Sequence, residues 1–308
     1  MVTNHKIKHN YACARLIRDM ERLCDLYFEL SNEERLKILH SLREKNMNIT
    51  ALAQTVDITT QECSRHIARL ADFNLVQRNT DRTFRITPYG HLTLRLILGQ
   101  QFASTYQKYF NTHTLDNLPS RIVSRIHELN DSRFTQDIWL TFSLLENLFE
   151  EAEKYIWMIH DQYLLSILPL GVEAIKRGVK FKSIDPMSRE ENRSLDPERP
   201  DYVTVEDEKY LLQSWKEGNL EIRLSETIRV FLYINEKKAI VAFPLIDGYF
   251  DYTGFVTEHP EGLRLCRDIF EYYWSLGHPP TQDSILESHK TRMHYQEGLE
   301  KKAHRRDA

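Results

Sequence analysis

Residues 48–86 have the sequence NITALAQTVDITTQECSRHIARLADFNLVQRNTDRTFRI, and this stretch decides the fold of the first part of the chain. Apolar side chains recur in it at spacings of three and four, in two segments joined by a turn at Asp57-Ile58. They are Ile49, Leu52, Ala53 and Val56 in the first segment, and Cys63, Ile67, Leu70 and Phe73 in the second. Because such spacings place apolar side chains on one face of a helix, the stretch is predicted to begin with two short amphipathic helices.

The second helix has a start signal and a polar outer face. Thr59 is followed three residues later by Glu62, the T-x-x-E pattern of a capping box, so the helix is predicted to start at Thr60. The side chains that the core does not use are those of Thr60, Gln61, Ser64, Arg65 and Ala68. This face suits a helix that enters the major groove of DNA, because its polar side chains reach base edges or phosphates and its small ones permit close approach.

Two short alternating runs follow, residues 75–78 and 83–86, on either side of the turn-forming tetrapeptide Asn79–Arg82. This pattern predicts a β-hairpin, and the whole order is typical of a winged helix-turn-helix. The candidate DNA contacts are polar and basic side chains of the second helix and the hairpin: Thr60, Gln61, Ser64, Arg65, Arg69, Arg78, Arg82 and Arg85. The alternative interpretation is two core helices and a hairpin whose arginines are only solvated.

Residues 58–90, ITTQECSRHIARLADFNLVQRNTDRTFRITPYG, resemble the recognition helix and wing of ArsR-type winged regulators. The pattern of that family is Ile-Ser-x-x-x-x-Ser-Arg-His-Leu-x-x-Leu followed by a Leu-Val strand. The matching positions here are Ile58, Thr59, Ser64, Arg65, His66, Ile67, Leu70, Leu75 and Val76. The resemblance implies a DNA-binding regulator and leaves its operator open.

Charge is distributed unevenly along the 308 residues. Residues 1–110 have 16 Lys and Arg against 11 Asp and Glu, whereas residues 111–308 have 25 against 34. A basic first part suits phosphate contacts and an acidic second part would be repelled by DNA, so two domains with separate tasks are expected. For the charge pattern alone, chance variation is the alternative.

Neither a run of about 18 uncharged apolar residues nor a signal-peptide pattern occurs, so a cytoplasmic protein without membrane contact is expected. Cys13, Cys24, Cys63 and Cys266 are scattered without a C-x-x-C motif, so no metal site, disulfide framework or cofactor is predicted. The motifs G-x-x-x-x-G-K-[ST], G-x-G-x-x-G and G-x-S-x-G do not occur either. On these grounds the chain is expected not to be an enzyme.

Helical patterns flank the winged unit. An apolar seam at alternating spacings of three and four predicts a helix over residues 10–30. After the hairpin, Thr87 before Pro88 predicts the start of a helix that extends to about Phe110. This helix is apolar around more of its circumference than one small domain would bury, so a partner surface is expected, and the seam of the N-terminal helix, from the same chain or a second copy, is the nearest candidate. The leading expectation is a homodimer formed through these two helices.

From residue 154 the pattern changes to alternating strands and helices. Residues 155–159 and 179–184 are predicted strands on either side of a helix, which is the order of a βαβ unit with parallel strands. Ligands of open α/β sheets bind beyond the carboxyl ends of such strands. The predicted ligand-binding residues are therefore His160, Asp161 and Asp185, and ordinary loop or capping residues are the alternative.

Residues 251–274, DYTGFVTEHPEGLRLCRDIFEYYW, resemble the closing part of the effector domain in the archaeal methanogenesis and filamentation regulatory protein family. Residues 118–122 and 126–129 resemble the start of that domain. The resemblance implies a winged helix-turn-helix followed by an α/β effector domain that is similar to a phospholipase-D-like half. The H-x-K motif of such hydrolases does not occur in the chain, so phosphodiesterase activity is not expected.

The sequence thus predicts an α+β protein with four parts. They are a winged helix-turn-helix DNA-binding domain with dimerisation helices over residues 1–110, a helical linker over 111–153, an α/β effector domain over 154–277 and a charged tail over 278–308. The predicted function is sequence-specific transcriptional regulation by a homodimer on double-stranded DNA, with a second domain that senses an unknown small molecule or a partner. An enzyme with a winged recruitment domain and a winged protein-interaction module are the alternatives.

Overall fold

The computed structural model describes residues 19–162, 165–187 and 204–280. The chain divides into two compact units, Met1–Gln100 and Gln101–Ala308. The first part of the helix predicted from residue 10, most of the loop predicted after Asp185 and the charged tail from residue 281 lie outside the described residues. Within the described ranges, no helix is long and apolar enough to cross a membrane.

The first unit consists of helices and one hairpin. Its helices are α1 (residues 19–30), α2 (Glu33–Glu44), α3 (Ile49–Val56), α4 (Thr60–Asp72) and the beginning of α5 (Pro88–Thr105). Strands β1 (Val76–Arg78) and β2 (Phe84–Ile86) pair antiparallel, and Met47 adds a bridge to Phe84. The predicted order of helix, turn, helix and hairpin is confirmed.

Side-chain hydrogen bonds fix the start of α4. The Thr59 hydroxyl accepts a bond from the Glu62 N–H at 3.2 Å, and the Thr59 N–H donates to the Glu62 carboxylate at 3.1 Å. The predicted capping box and the helix start at Thr60 are therefore confirmed. Between α3 and α4, Asp57 adopts a φ of 60°, a left-handed conformation that Asp tolerates better than most residues, and this makes the turn tight.

The apolar faces of these elements close one core. Its fully buried members include Ile38, Leu39, Leu52, Cys63, Leu70 and Leu75. Cys63 packs here as a small apolar side chain, as its position on the apolar face of α4 predicts. Because the core takes one side of α4, the opposite side is left to solvent.

The second unit contains a seven-stranded sheet. The strands are β3 (Arg133–Thr135), β4 (Tyr155–Ile159), β5 (Lys180–Pro186), β6 (Leu220–Ser225), β7 (Phe231–Ile234), β8 (Ala239–Ala242) and β9 (Gly254–Thr257). They lie in the order β3-β9-β8-β7-β4-β5-β6. Strand β5 pairs parallel with both β4 and β6, and the other neighbours are antiparallel. The predicted parallel pairing is confirmed.

Helices cover both faces of this sheet. They are α6 (Gln107–Phe110), α7 (Ser120–Val123), α8 (Ile138–Glu151), α9 (Leu168–Lys176), α10 (Val205–Lys216) and α11 (Pro260–Leu276), with 3-10 turns at Ile126–Leu129 and Leu165–Ile167. Alternate side chains of β7 enter different cores: Leu232 packs in the core that contains α11, and Phe231 in the core that contains α8 and α9. The result is a three-layer arrangement of helix, sheet and helix.

The domain limits differ from the prediction. Segment 111–153, predicted to be a helical linker, supplies the edge strand β3 and buries Ile122, Ile126 and Leu129 in the core that contains α11. It therefore belongs to the second unit. The helix after the hairpin ends at Thr105 rather than near Phe110, because Tyr106 leaves the helical conformation with φ −106° and ψ 31°. A three-residue strand and a single irregular residue leave almost no trace in a periodicity pattern.

Candidate functional site

The outer face of α4 is exposed, as the sequence predicts. Thr60, Gln61, Ser64 and Arg65 are all exposed. In the described part of the chain, the Arg65 side chain forms no ion pair and no hydrogen bond. Its five N–H donors are therefore open to an external acceptor.

Arg69 lies one turn further along α4 and is already engaged. Its Nε donates to Glu29 Oε2 at 2.9 Å and its Nη2 donates to Glu29 Oε1 at 2.5 Å. The guanidinium also lies over the Phe28 ring, 5.4 Å from the ring centre. A carboxylate 40 residues away in sequence thus holds the Arg69 side chain against α1, and the expected contact of Arg69 with DNA stays a prediction. A pairing over that separation gives no periodic signal.

His66 is part of the ArsR-type pattern, but this residue of α4 is partly buried. Its Nδ1 is buried without a hydrogen-bond partner in the described residues. Burial lowers the pKa of His66, and the nearby positive charge of Arg35 lowers it further. The imidazole is therefore neutral at pH 7, and its contribution to this surface is packing rather than charge.

The hairpin between β1 and β2 is braced by its own polar groups. The Asn79 N–H donates to the Thr83 carbonyl at 2.7 Å, and the Asp81 carboxylate accepts from the Thr83 N–H at 2.9 Å. The bonds from Thr83 hold the pKa of Asp81 below its ordinary value, so this carboxylate is charged at pH 7. Arg82 at the tip is exposed and adopts a φ of 67°. The tip is thus a fixed turn with one cation beside one anion.

Two further arginines of the hairpin are exposed. Arg78 ends β1, and Arg85 lies in the middle of β2, opposite Gln77 in the strand register. In the amide orientation that satisfies both groups, the Gln77 side-chain oxygen accepts from the Arg85 guanidinium at 2.6 and 2.8 Å. Arg85 is thereby held across the strand pair and still has N–H donors to spare.

Apolar side chains on α1 and α5 are exposed beside the winged core. They are Met20, Leu23, Tyr27 and Phe28 on α1, and Tyr89, Leu92 and Leu96 on α5. The Gln100 side chain donates to the Tyr27 hydroxyl at 2.6 Å, so the two helices are neighbours within the first unit. Large apolar side chains clustered in solvent mark an interaction surface more often than scattered ones do.

In the second unit, the carboxyl ends of β4 and β5 bring His160 and Asp185 together. His160 Nε2 lies 2.9 Å from Asp185 Oδ1 and 3.2 Å from Ser183 Oγ, and the Ser183 hydroxyl donates to the same carboxylate oxygen. All three side chains are buried. Sequence reasoning missed Ser183, although it lies two residues before Asp185 and therefore on the same face of β5.

The polar neighbours of His160 contact both of its ring nitrogens. Nδ1 lies 3.0 Å from the Gln162 carbonyl oxygen, and Nε2 faces the Asp185 carboxylate. Burial lowers the pKa of His160, but the Asp185 and Gln162 contacts raise it by more, and the net shift is upward. Ser183 and Asp185 both face Nε2, whereas a catalytic triad places the serine and the acid on opposite ring nitrogens, so these three side chains are not arranged as nucleophile, base and orienting acid.

Asp161 follows His160 in sequence but takes a different partner. The Tyr252 hydroxyl donates to its carboxylate, 3.2 Å from Oδ2 and 3.4 Å from Oδ1. Burial raises the pKa of Asp161 above its ordinary value, although the Tyr252 bond and the charge of His160 oppose the rise. The three predicted ligand-binding residues therefore lie near the carboxyl ends of β4 and β5. His160 and Asp185 are in contact, and Asp161 is bonded to Tyr252, which lies just before β9.

A cavity of about 320 Å³ lies elsewhere in the second unit, beside the edge strand β6. Its lining includes Trp215, Arg223, Trp274, Pro279 and Pro280, and none of the three predicted ligand-binding residues. In the residues that the structure describes, no group of three or more His, Cys, Asp or Glu side chains is arranged to hold a metal ion.

No protein-family model and no curated protein sequence matches the chain. Among solved structures, it is similar to TrmBL2, an archaeal chromatin protein described as having a novel mode of DNA binding, with 12% identity over 81% of this chain and 94% of that chain and a TM-score of 0.37. It is also similar to a homodimeric winged helix-turn-helix domain from Mycobacterium bovis, a possible ArsR-family regulator, with 21% identity over 32% of this chain and 94% of that chain and a TM-score of 0.27.

Further similar structures are described as methyltransferases. One is the N,N-8-amino-8-demethyl-D-riboflavin dimethyltransferase RosA from Streptomyces davawensis, with 11% identity over 69% of this chain and 66% of that chain and a TM-score of 0.26. These matches overturn the expectation, drawn from missing sequence motifs, that the chain is not an enzyme. Such low TM-scores carry no argument for a particular activity. The phospholipase-D-like half finds no support in these structures.

Proposed function

We propose that the chain is a sequence-specific, DNA-binding transcriptional regulator that contacts double-stranded DNA through α4 and the hairpin. The observation that supports this most is the exposed polar face of α4, on which Arg65 has all its N–H donors open. Arginine and glutamine at such positions can form paired hydrogen bonds with guanine and adenine edges in the major groove. Arg65 and Gln61 are the proposed base-reading residues, with Thr60 and Ser64 allowing close approach.

The hairpin arginines supply the second part of the proposed interface. Arg78, Arg82 and Arg85 are exposed, and the turn that holds Arg82 is fixed by hydrogen bonds before any ligand arrives. Guanidinium groups on a preformed turn suit phosphate contacts, which position a protein on DNA without reading its sequence. Each phosphate that is neutralised steepens the dependence of log K on log salt concentration by about 0.9.

We infer that the working form is a homodimer in which α1 and α5 of one copy pack on those of the other. The exposed apolar side chains of these neighbouring helices support this proposal, because a second copy would remove them from water. A two-fold dimer presents two copies of α4 to a pseudo-palindromic site whose half-sites are separated by about one helical turn or a multiple of it.

The second unit is proposed to respond to a small molecule or a partner at the carboxyl ends of β4 and β5. His160, Asp161 and Asp185 lie there, and their polar groups are concentrated in an otherwise apolar environment. A ligand that binds one arrangement of the dimer more tightly than another by about 1.4 kcal/mol changes operator affinity about tenfold.

The DNA-binding proposal is tested with a duplex that the full-length chain selects from a random-sequence pool. Gel shifts compare the wild type with the double variant Gln61→Ala/Arg65→Ala, and Arg264→Ala serves as a control because Arg264 is an exposed arginine on α11, outside α1, α4, α5 and the hairpin. The proposal predicts loss of preference for the selected duplex in the double variant only. Equal binding by all three proteins would remove α4 from the interface, and failure to select any duplex would end the DNA-binding proposal.

A further inference from the structure

A buried carboxylate connects α1 to two other helices of the first unit. Glu29, at the end of α1, is 4% exposed. Its side chain receives the two bonds from Arg69 of α4, and Arg35 Nε of α2 lies 3.5 Å from Glu29 Oε2. One carboxylate thus meets two guanidinium groups from helices that are distant in sequence.

Arg35 also fixes the end of α1 through its backbone. Its Nε donates to the Glu29 carbonyl at 2.5 Å and its Nη2 donates to the Phe28 carbonyl at 2.9 Å. The last carbonyls of a helix have no partner within the helix, so these bonds satisfy groups that would otherwise be left unpaired. The end of α1 is therefore held on the winged core by both its side chain and its main chain.

The energetics oppose release of Arg69 to another anion. Glu29 is buried, and without the two Arg69 bonds its carboxylate would keep only Arg35, whose Nε lies 3.5 Å away. The Arg69 side chain is 45% exposed, but a contact with a solvated phosphate is screened by salt, whereas the buried carboxylate is screened much less. Arg69 therefore stays with Glu29 when the winged unit meets DNA, even though it lies on the same helix as Arg65.

The Glu29–Arg69 pair joins the carboxyl end of α1 to the last turn of α4. Arg69 is in the last turn of α4, whereas the proposed base-reading residues are in its first half. Glu29 is at the carboxyl end of α1, whose exposed apolar residues Met20 and Leu23 lie in earlier turns. The Glu29–Arg69 pair is thus a direct contact between the helix of the proposed dimer surface and the proposed recognition helix.

We propose that the Glu29–Arg69 ion pair sets the angle between α1 and α4, and with it the half-site separation at which a dimer presents its two recognition helices. Arg69 is in this view a positioning residue and makes no DNA contact. The inference rests on the proposed DNA-binding function. It adds that the spacing preference of the protein is encoded inside the first unit, at a site remote from the bases.

The first test separates a positioning role from a phosphate contact by salt dependence. Operator affinity is measured over a range of salt concentrations for the wild type, Arg69→Gln, Arg69→Lys and Glu29→Gln. A phosphate contact predicts that Arg69→Gln lowers the slope of log K against log salt by about 0.9, as expected for one lost contact. A positioning role predicts an unchanged slope for Arg69→Gln and Arg69→Lys. In Glu29→Gln the released guanidinium can reach a phosphate, so its slope should stay equal or rise.

The second test measures spacing preference directly. The probes are duplexes with two copies of the selected half-site whose separation changes by one base pair at a time. Arg69→Lys keeps the charge but loses the forked, two-point contact with a carboxylate, so it should alter the affinity ratio between optimal and neighbouring separations by about fivefold or more. Glu29→Gln should alter the same ratio, and the double variant should differ little from either single variant, because both remove one interaction.

The matched control is the Glu33–Lys37 pair of α2. Its atoms also approach to 2.6 Å, but both side chains are exposed, so Glu33→Gln and Lys37→Gln should leave slope and spacing unchanged. Circular dichroism checks that each variant is folded. If Arg69→Gln is unfolded, Arg69→Lys, which retains the positive charge, takes its place in the test. A lower salt slope in Arg69→Gln, or an unchanged spacing ratio in both Glu29→Gln and Arg69→Lys, would overturn the inference. If the wild-type protein itself binds no duplex, the proposed function is overturned instead.

Discussion

Substitution of Leu96 by alanine tests the proposed dimer at a position where the fold of a single copy is not at stake. Leu96 lies on α5 and is 66% exposed in the single chain. Its removal therefore takes little from the core of the first unit. If a second copy covers this side chain, the same change removes apolar surface that only the dimer buries.

The magnitude follows from the exposed fraction. Leucine has three carbon groups more than alanine, each contributing about 0.8 kcal/mol when it is transferred from water to an apolar environment. Two thirds of that sum is about 1.6 kcal/mol per copy, and a two-fold interface contains the side chain twice. The dimer should therefore lose about 3 kcal/mol, which raises its dissociation constant on the order of 100-fold.

The assay is sedimentation velocity across a series of protein concentrations, with thermal unfolding recorded in parallel. The matched control is Ile246→Ala in the second unit, because Ile246 is an aliphatic side chain of similar exposure, 74%, and lies outside α1 and α5. We expect the dissociation constant to rise in Leu96→Ala and to stay unchanged in Ile246→Ala. A wild-type chain that remains a folded monomer at micromolar concentration, or a Leu96→Ala variant with wild-type association, would refute the reasoning.

Three other predictions concern DNA contacts, pH and the core. Arg65→Ala should weaken binding to the selected duplex by about 1–3 kcal/mol while weakening random duplexes less, whereas Arg82→Ala should weaken both alike and lower the salt slope. Competition gel shifts with the two duplexes distinguish these outcomes. Because the pKa of His160 is raised in the folded chain by Asp185, its contribution to stability is fully present below the unfolded pKa and is lost as pH rises through the folded pKa. Urea unfolding at several pH values should show this loss in the wild type and not in His160→Gln, and the same pH dependence in both proteins would contradict the assignment. Leu70→Ala removes a fully buried side chain and should cost about 2–5 kcal/mol of unfolding free energy, which a urea titration measures. A cost below about 1 kcal/mol would show that Leu70 is not in a packed core.

The elements that the sequence predicts well are those whose signal is local. Thr59 and Glu62 form their capping box within one helical turn, and α4 starts where that pattern places it. Strand β4 is a short apolar run, and its parallel pairing with β5 follows from the helix between them. In each case the interaction that fixes the structure lies within the window over which a sequence pattern is recognised.

The elements that sequence reasoning missed depend on distant partners. Strand β3 has three residues and exists because β9, more than a hundred residues later, offers an edge to it. Apolar residues of segment 111–153 pack in the core that contains α11, and a local sequence pattern does not distinguish such a segment from a linker. Asp185 lies near the carboxyl end of β5, and its pairing with His160 depends on two strands meeting in register, which a local pattern does not show.

The same physics explains why Arg69 and Arg65 differ although both were predicted to contact DNA. They are four residues apart on α4, and each projects away from the apolar core. The difference arises from Glu29, a carboxylate that the fold buries and that must therefore be neutralised from within the unit. Arg69 and Arg35 both reach that carboxylate, whereas Arg65 has no such neighbour in the described residues. A guanidinium that pairs with a buried carboxylate is less available to an anion outside the unit than one without such a partner, and on α4 this distinguishes Arg69 from Arg65.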